Sequence, residues 1–323
     1  IEFSFRDKNI LNANITDDLL KLAFKGNFHY QDETLYFGGT NIRADRYQQY
    51  KLSYGRSINN FEFNVGASYL AGQHHLSYII EKGSLYTSSL GTYLDIEYDM
   101  NAFATDTSNL SFFANNGRGL AIDFNAGFNI KEYEIQFNLT DIGFIMWNTS
   151  SIVLATDSIF RFQGVEVEDI FTFNDSIIEA NNIKDDVLKT NNTSFKSYIP
   201  ATIHTSVKGI TKHEKLKEYT IGIIAKWQPY MDNTALSFKK ITQGFEESNF
   251  TPLLYVQSIY NTKNYDIIPR LSYGGYSNDT NIGIALSKGK KNKFTIGTYH
   301  LEDIFNGDKA KAVSLYLNIQ LQF

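Results

Sequence analysis

A chain of 323 residues with a formal net charge of −5, four prolines and no cysteine is long enough for two soluble domains or one large barrel. The lack of cysteine excludes a disulfide framework and a thiolate metal site. The mildly acidic balance, with no basic stripe, excludes the electrostatic footprint that nucleic-acid phosphates demand. No run of about 18 apolar residues occurs, so no transmembrane helix is expected. Barrel strands alternate between two faces, average to neutral hydropathy and escape that test.

In chain order, Ile1–Arg6 reads as the middle or end of a strand. Opening inside a strand predicts that a signal peptide and further residues precede Ile1. Thr16-Asp17-Asp18 before Leu19, Leu20, Leu22, Ala23 and Phe24, with Gly26 as a stop, predicts a short amphipathic helix over 16–25, in a lumen or at a rim. Strands follow at 46–58 and 61–71, joined by Asn59-Asn60. Residues 74–99 fit either one outside hairpin or two more crossings. Strand 118–130 sets Leu120, Ile122, Phe124, Phe128 and Ile130 against Asp123, Asn125, Gly127 and Asn129. After Lys131-Glu132, strand 133–147 sets Tyr133, Ile135, Phe137 and Leu139 against Glu134, Gln136 and Asn138. Residues 148–197 read as a long extracellular segment, and 100–117, 230–249 and 301–311 as further long links. Strands at 199–209, 218–229, 252–260, 265–274, 280–287 and 293–300 alternate in the same way.

The last strand, 312–323, is the clearest. Val313, Leu315, Leu317, Ile319, Leu321 and Phe323 alternate with Ser314, Tyr316, Asn318, Gln320 and Gln322. Successive side chains of a strand face opposite ways, so this segment has one apolar face and one polar face. A half-buried strand of a soluble sandwich would look similar. A run at the chain end that stops on Phe323 resembles the C-terminal signal read by the bacterial barrel-assembly machinery, with Phe323, Leu321, Ile319 and Leu317 as the residues that carry it. Throughout the chain the second face is Gly, Ser, Asn and charge, which suits a wet lumen. With Phe323 at the periplasmic end, most short links fall on the periplasmic side and the long ones outside. The expected fold is all-β: one transmembrane antiparallel up-and-down β-barrel over 1–323, with about 12–14 strands and a short N-terminal helix. Tyr69, Trp147, Trp227, Tyr230, Tyr273 and Tyr299 lie near strand ends and could form interfacial girdles.

Several stretches in order carry a resemblance. They are the helix-like Ile15–Gly26, then Phe37-Gly38-Gly39-Thr40, then Arg46 to Arg56, Asn115 to Phe124, and Leu139-Thr140-Asp141-Ile142-Gly143-Phe144-Ile145-Met146-Trp147. Together they resemble an uncharacterised outer-membrane barrel family of Bacteroidota, similar in style to the FadL-like barrels that include PorV, and more loosely to PorP/SprF proteins of type IX secretion. The resemblance implies location and architecture, with a further N-terminal portion, and transfers no catalytic or ligand motif.

Candidate chemistry is sparse. His204 and Ser206 share a strand face, as parts of a lipid hydrolase would, although lumen polar residues look the same. His74-His75 point opposite ways and lack an evident third ligand. Asp157-Ser158-Ile159 and Asp175-Ser176-Ile177 match short O-glycosylation tripeptides. Asp17-Asp18, Asp185-Asp186 and Glu246-Glu247 read as solvated acids. No cofactor, metal or enzymatic activity is expected. Segment 164–197 mixes Val165, Val167, Ile170, Phe171 and Phe173 with acids, which marks those five as candidate partner contacts. The expected function is a structural or interaction subunit of a cell-envelope complex (type IX secretion, gliding or assembly). Its partners would be outer-membrane lipid and other envelope proteins. A FadL-like channel for hydrophobic small molecules is the alternative, and a lipid hydrolase the remote one.

Overall fold

The computed structural model describes residues 1–105, 111, 114–163, 190–228, 237–246, 248–289, 292–305 and 312–320. Seventeen strands form one antiparallel sheet: β1 Glu2–Asn14, β2 Thr34–Tyr36, β3 Asn41–Ile58, β4 Phe61–Thr87, β5 Leu94–Ala104, β6 Gly117–Ile130, β7 Tyr133–Trp147, β8 Ile152–Phe162, β9 Thr190–Asn192, β10 Lys196–Tyr198, β11 Ala201–Ile210, β12 Leu216–Trp227, β13 Thr251–Asn261, β14 Asp266–Gly275, β15 Asp279–Lys288, β16 Lys293–Thr298 and β17 Tyr316–Gln320. Three α-helices accompany them among the described residues: α1 Asp17–Lys25, α2 Phe238–Glu246 and α3 Leu301–Phe305. The chain is thus all-β, with α1 as the short N-terminal helix.

α1 begins after Thr16, whose backbone is extended but whose side chain makes no cap bond; its Oγ1 lies instead 3.2 Å from Thr40 Oγ1. Asp17 and Asp18 complement the positive end of the helix, and Gly26, at φ 72°, ends it with an N–H bond to the Leu22 carbonyl. Asp18 also accepts the Tyr36 N–H at 3.0 Å, tying α1 to β2.

Most of the sheet is one wall, in which β1 pairs with β3, β3 with β4, β4 with β6, β6 with β7, β7 with β11, and β11 to β17 each with the next. The links 59–60, 131–132, 211–215 and 262–265 all lie at one end of it. Strand β4 settles the two readings of 74–99. Its first half, Phe61–Gly72, pairs with β6; its second half, Leu76–Thr87, pairs with β5 instead. Strand β5 continues to β8, and β8 to β9, while β2 pairs with the tip of β4. Residues 74–99 therefore build a hairpin that prolongs the wall, not two more crossings. The long links were also underestimated as structure. Residues 148–197 include β8, β9 and β10, residues 100–117 begin with the end of β5, and 230–249 and 301–311 contain α2 and α3.

Face alternation follows the sequence. Along β6, Leu120, Ile122, Phe124 and Phe128 are exposed while Gly119, Ala121 and Asp123 are buried; β15 repeats this with Ile282, Ile284 and Leu286 against Asn281, Ala285 and Ser287. Ile135, Phe137, Leu317 and Ile319 are exposed as well. A bulge changes the parity of β7. Opposite Ile122 and Phe124 of β6 stand Ile142 and Leu139, so β7 carries an extra residue there, with Asp141 at φ 64°. Beyond the bulge Met146 faces out, and Ile145 and Trp147 face in, fully buried. Trp147 is therefore no interfacial girdle residue. Trp227 is likewise buried, its Nε1 donating to the Ile241 carbonyl of α2 at 3.0 Å. Tyr69 and Tyr273 are outward and exposed, and Tyr299 stacks on Tyr316 at 4.7 Å. Tyr230 lies outside the described residues.

The sheet is strongly curled. Strand β7 is four ladders from β1, roughly 19 Å away across a flat sheet. Yet Lys8 of β1 reaches Asp141 of β7 at 2.6 Å. The inward face is thus a concave interior, and the outward face is the apolar one.

Candidate functional site

The interior between β1, β3, β4, β6 and β7 is filled by ion pairs. On β3, odd-numbered residues point inward, which brings Arg43, Asp45, Tyr47, Gln49 and Lys51 into one column. Arg43 Nε donates to Asp45 Oδ2 at 2.6 Å, and a second guanidinium nitrogen donates to the Tyr198 carbonyl of β10. Asp45 Oδ1 lies 2.7 Å from His75 Nδ1, and all three side chains are almost wholly out of solvent. Below them Lys8 pairs with Asp141 at 2.6 Å, Gln49 donates to the same carboxylate at 3.0 Å, and Lys51 pairs with Asp123 at 2.7 Å. The bulge makes this possible: the Asp141 N–H donates to Asp123 Oδ1 at 2.7 Å while its side chain turns inward. Buried ions held in this way leave few unpaired groups, which such an interior requires.

Above the ion pairs sits an aromatic plug. Trp147, Phe195, Tyr47, Phe103, Leu70, Ile145 and Ile199 form one buried cluster. His75 packs between Trp147 (5.4 Å between ring centroids) and Phe195 (5.2 Å). The indole Nε1 of Trp147 donates to Ser197 Oγ at 2.8 Å. The ring has room only because Gly72 and Gly117 lack side chains: a Cβ on either would come within 2.6 Å of it. His75 therefore braces Asp45, and His74, on the opposite side of β4, shares no ligand set with it among the described residues.

The other residues singled out from the sequence fall as follows. His204 Nε2 is 2.8 Å from the Tyr255 hydroxyl, and its Nδ1 is 3.4 Å from Asn138 Nδ2; no hydrogen bond joins it to Ser206 among the described residues. His300, Glu302 and Asp303, which sequence reading did not group, bring their ligand atoms within 4.8 Å of one another. Each is already engaged: His300 with Asn281 Oδ1 (2.9 Å), Glu302 with the Ile282 N–H (2.8 Å) and Asp303 with the Ala312 N–H (3.0 Å). They clasp α3 to β15 and to the approach to β17. Asp157-Ser158-Ile159 lies on β8, with Ile159 exposed. Val165, Val167, Ile170, Phe171, Phe173, the tripeptide at 175–177, Asp185-Asp186, Leu321 and Phe323 lie outside the described residues. Leu317 and Ile319 are on β17, exposed on the outward face.

Beyond the wall, the prolongation of β4 carries the same sheet on through β2, β5, β8 and β9. Arg161 and Asp95 make a two-bond pair across it at 2.6 and 2.7 Å, with the guanidinium 3.9 Å from the Tyr93 ring centroid. The hydrogen bond from Arg161 holds the Asp95 carboxyl below its ordinary range. No curated protein matches the chain. The model of one family matches residues 1–321, and the chain belongs to that family, DUF5723, a family of unknown function.

Proposed function

We propose that this protein is an outer-membrane β-barrel of the FadL/PorV-like kind found in Bacteroidota, and that it acts as a structural or interaction subunit of a cell-envelope complex. The observation that carries the reading is the inversion of its two faces. The outward side of β3, β4, β6, β7 and β11 to β17 exposes large apolar residues strand after strand, and the inward side buries Arg43, Asp45, His75 and Asp123. Soluble chains rarely leave an apolar belt of that extent in water, whereas lipid covers it at no cost. The ion-paired, plugged interior supports an anchoring role over a wide conduit, and the sheet beyond the wall offers other envelope proteins a surface.

The test combines fractionation with copurification. The full chain is expected in outer-membrane fractions, with heat-dependent gel mobility, and envelope proteins should copurify with it. Replacing 164–189 with a Gly/Ser linker should release those partners and leave the barrel folded. The replacement must stop before residue 190, because Phe195, Ser197 and Tyr198 belong to the plug and its hydrogen bonds. Recovery in the soluble fraction would refute the membrane reading. Partners that stay bound to the linker variant, together with lipid retained in the interior, would favour a channel for hydrophobic molecules.

A further inference from the structure

A second region of the interior is built differently. At the wall end opposite the links 59–60 and 131–132, between β12, β13, β14, β15 and β16, lies a cavity of about 410 Å³ lined by Lys226, Phe250, Arg270, Tyr276, Tyr299 and His300 among others. None of its described lining residues is acidic. Arg270 is mostly buried, with its guanidinium carbon 4.1 Å from the Tyr255 ring centroid and 4.8 Å from that of Tyr299. Its side chain makes no hydrogen bond or ion pair to any described residue, and Nε is buried without a partner. The Lys226 ammonium sits 4.7 Å from the Phe250 centroid and 4.6 Å from that of Tyr276, and its one described hydrogen bond is to the Tyr276 hydroxyl, 2.9 Å away.

Elsewhere the interior neutralises its cations. Lys8, Arg43, Lys51 and Lys208 each have a carboxylate oxygen within 2.9 Å. Aromatic rings lower the cost of desolvating a cation but do not use its N–H donors. Two cations facing one cavity with no acid in its described lining, one of them a guanidinium with a flat fork of donors, suit a bidentate anion. The volume lies toward the lower end of the roughly 300–1,000 Å³ of small-molecule sites, and the walls are largely aromatic and aliphatic. We propose that this cavity binds a compact organic anion, a carboxylate or phosphate carried on a small ring or short apolar body. The anionic group bridges Arg270 and Lys226, and the body lies against Phe250, Tyr276 and Tyr299. The site holds whether or not the protein is an interaction subunit, because its readout is binding.

The experiment titrates the purified full chain, in a nonionic detergent, with phenyl phosphate and with benzoate, and uses inorganic phosphate and benzyl alcohol as controls. Both organic anions should bind, and benzyl alcohol should not. Arg270→Gln should weaken binding at least about tenfold, the loss of charge-assisted hydrogen bonds. Arg270→Lys should fall between the two, since it keeps charge and loses the fork. Lys226→Gln, at a more open position, guards against a folding defect in the Arg270 variants and should also weaken binding. Equal binding of benzyl alcohol, binding of inorganic phosphate as tight as that of phenyl phosphate, or unchanged affinity in Lys226→Gln and a folded Arg270→Gln would overturn the proposal.

Discussion

Arg43 and Arg270 both occupy inward positions of the same curled sheet, yet they meet opposite surroundings. Arg43 is held by Asp45 and the Tyr198 carbonyl, with His75 completing the set, and solvent is excluded from all of it. Arg270 rests between the rings of Tyr255 and Tyr299 with no carboxylate bonded to it. The difference teaches which part of the interior is finished and which is open. Around β3, β4 and β7 the side chains of Lys8, Arg43, Gln49 and Lys51 each have an acceptor within the chain, and the space is filled by Trp147 and Phe195. Around β12 to β16 the Arg270 guanidinium has no acceptor among the described residues, and a cavity remains. Completed networks rigidify, and incomplete ones are where ligands find their energy.

Breaking the finished side should do the most damage. Arg43→Met leaves Asp45 buried with only His75, so it should destabilise the protein by about 3–5 kcal/mol in chemical unfolding in detergent. Adding Asp45→Leu should restore much of that loss, because the orphaned charge is then gone. Arg270→Met, by contrast, removes an unpaired guanidinium from apolar surroundings and should be neutral or stabilising. Equal losses at the two arginines would erase the comparison. Next comes the plug. Trp147→Ala should cost about 3–5 kcal/mol, as expected for emptying a large buried ring site. Gly117→Val should imitate it in part by pushing the same ring away.

The outward face gives a smaller effect. Ile122→Arg, set in lipid at mid-strand, should cost about 2–4 kcal/mol in the same unfolding measurement, and Asn125→Arg, inward on the same strand beside a polar cavity, should cost much less. Similar penalties at both positions would speak against a lipid-covered wall.

Much of this layout was legible in the sequence, and particular residues show where legibility ended. The period-two alternation of β6 and β15 names the outward residues directly, because strand geometry allows no other phase. Strand β7 defeats the same reading. Its alternation is correct up to Leu139, but the extra residue at the Thr140–Asp141 bulge reverses the faces, and Trp147 moves from an expected girdle to the interior. A one-residue bulge leaves no mark in an alternating pattern of mixed residues. The hairpin of β4 and β5 was ambiguous because a strand that prolongs a wall has the same composition as one that crosses it. The clustering of Arg43, Asp45 and His75 could be half seen. Arg43 and Asp45 share parity on one strand, whereas His75 joins them only through the β3–β4 register. The open cavity left no signal at all, since Lys226, Arg270 and Tyr299 come from three different strands or strand ends.

If burial, and not the presence of a partner, makes the Arg43 network matter, then an equally well-formed pair in water should matter little. Arg161 and Asp95 supply that case. Their two hydrogen bonds are as short as those of Arg43, but the side chains remain 50% and 38% exposed on the sheet beyond the wall. Water screens such a pair, and ordering two long side chains offsets most of what remains. Arg161→Gln should therefore leave the unfolding midpoint at pH 7 nearly unchanged. The little it does change should have a definite sign with pH. The Asp95 carboxyl is held below its ordinary value of 3.8 by the hydrogen bond from Arg161. The pair thus contributes above that ordinary value, and its contribution disappears as pH falls through the depressed value of the folded protein. Wild type and Arg161→Gln should converge in strong acid, and at pH 7 in 1 M salt, where screening acts within about 3 Å. A loss at pH 7 comparable to that of Arg43→Met would mean that pairing itself governs stability here, and the contrast between the two interior regions would need another cause.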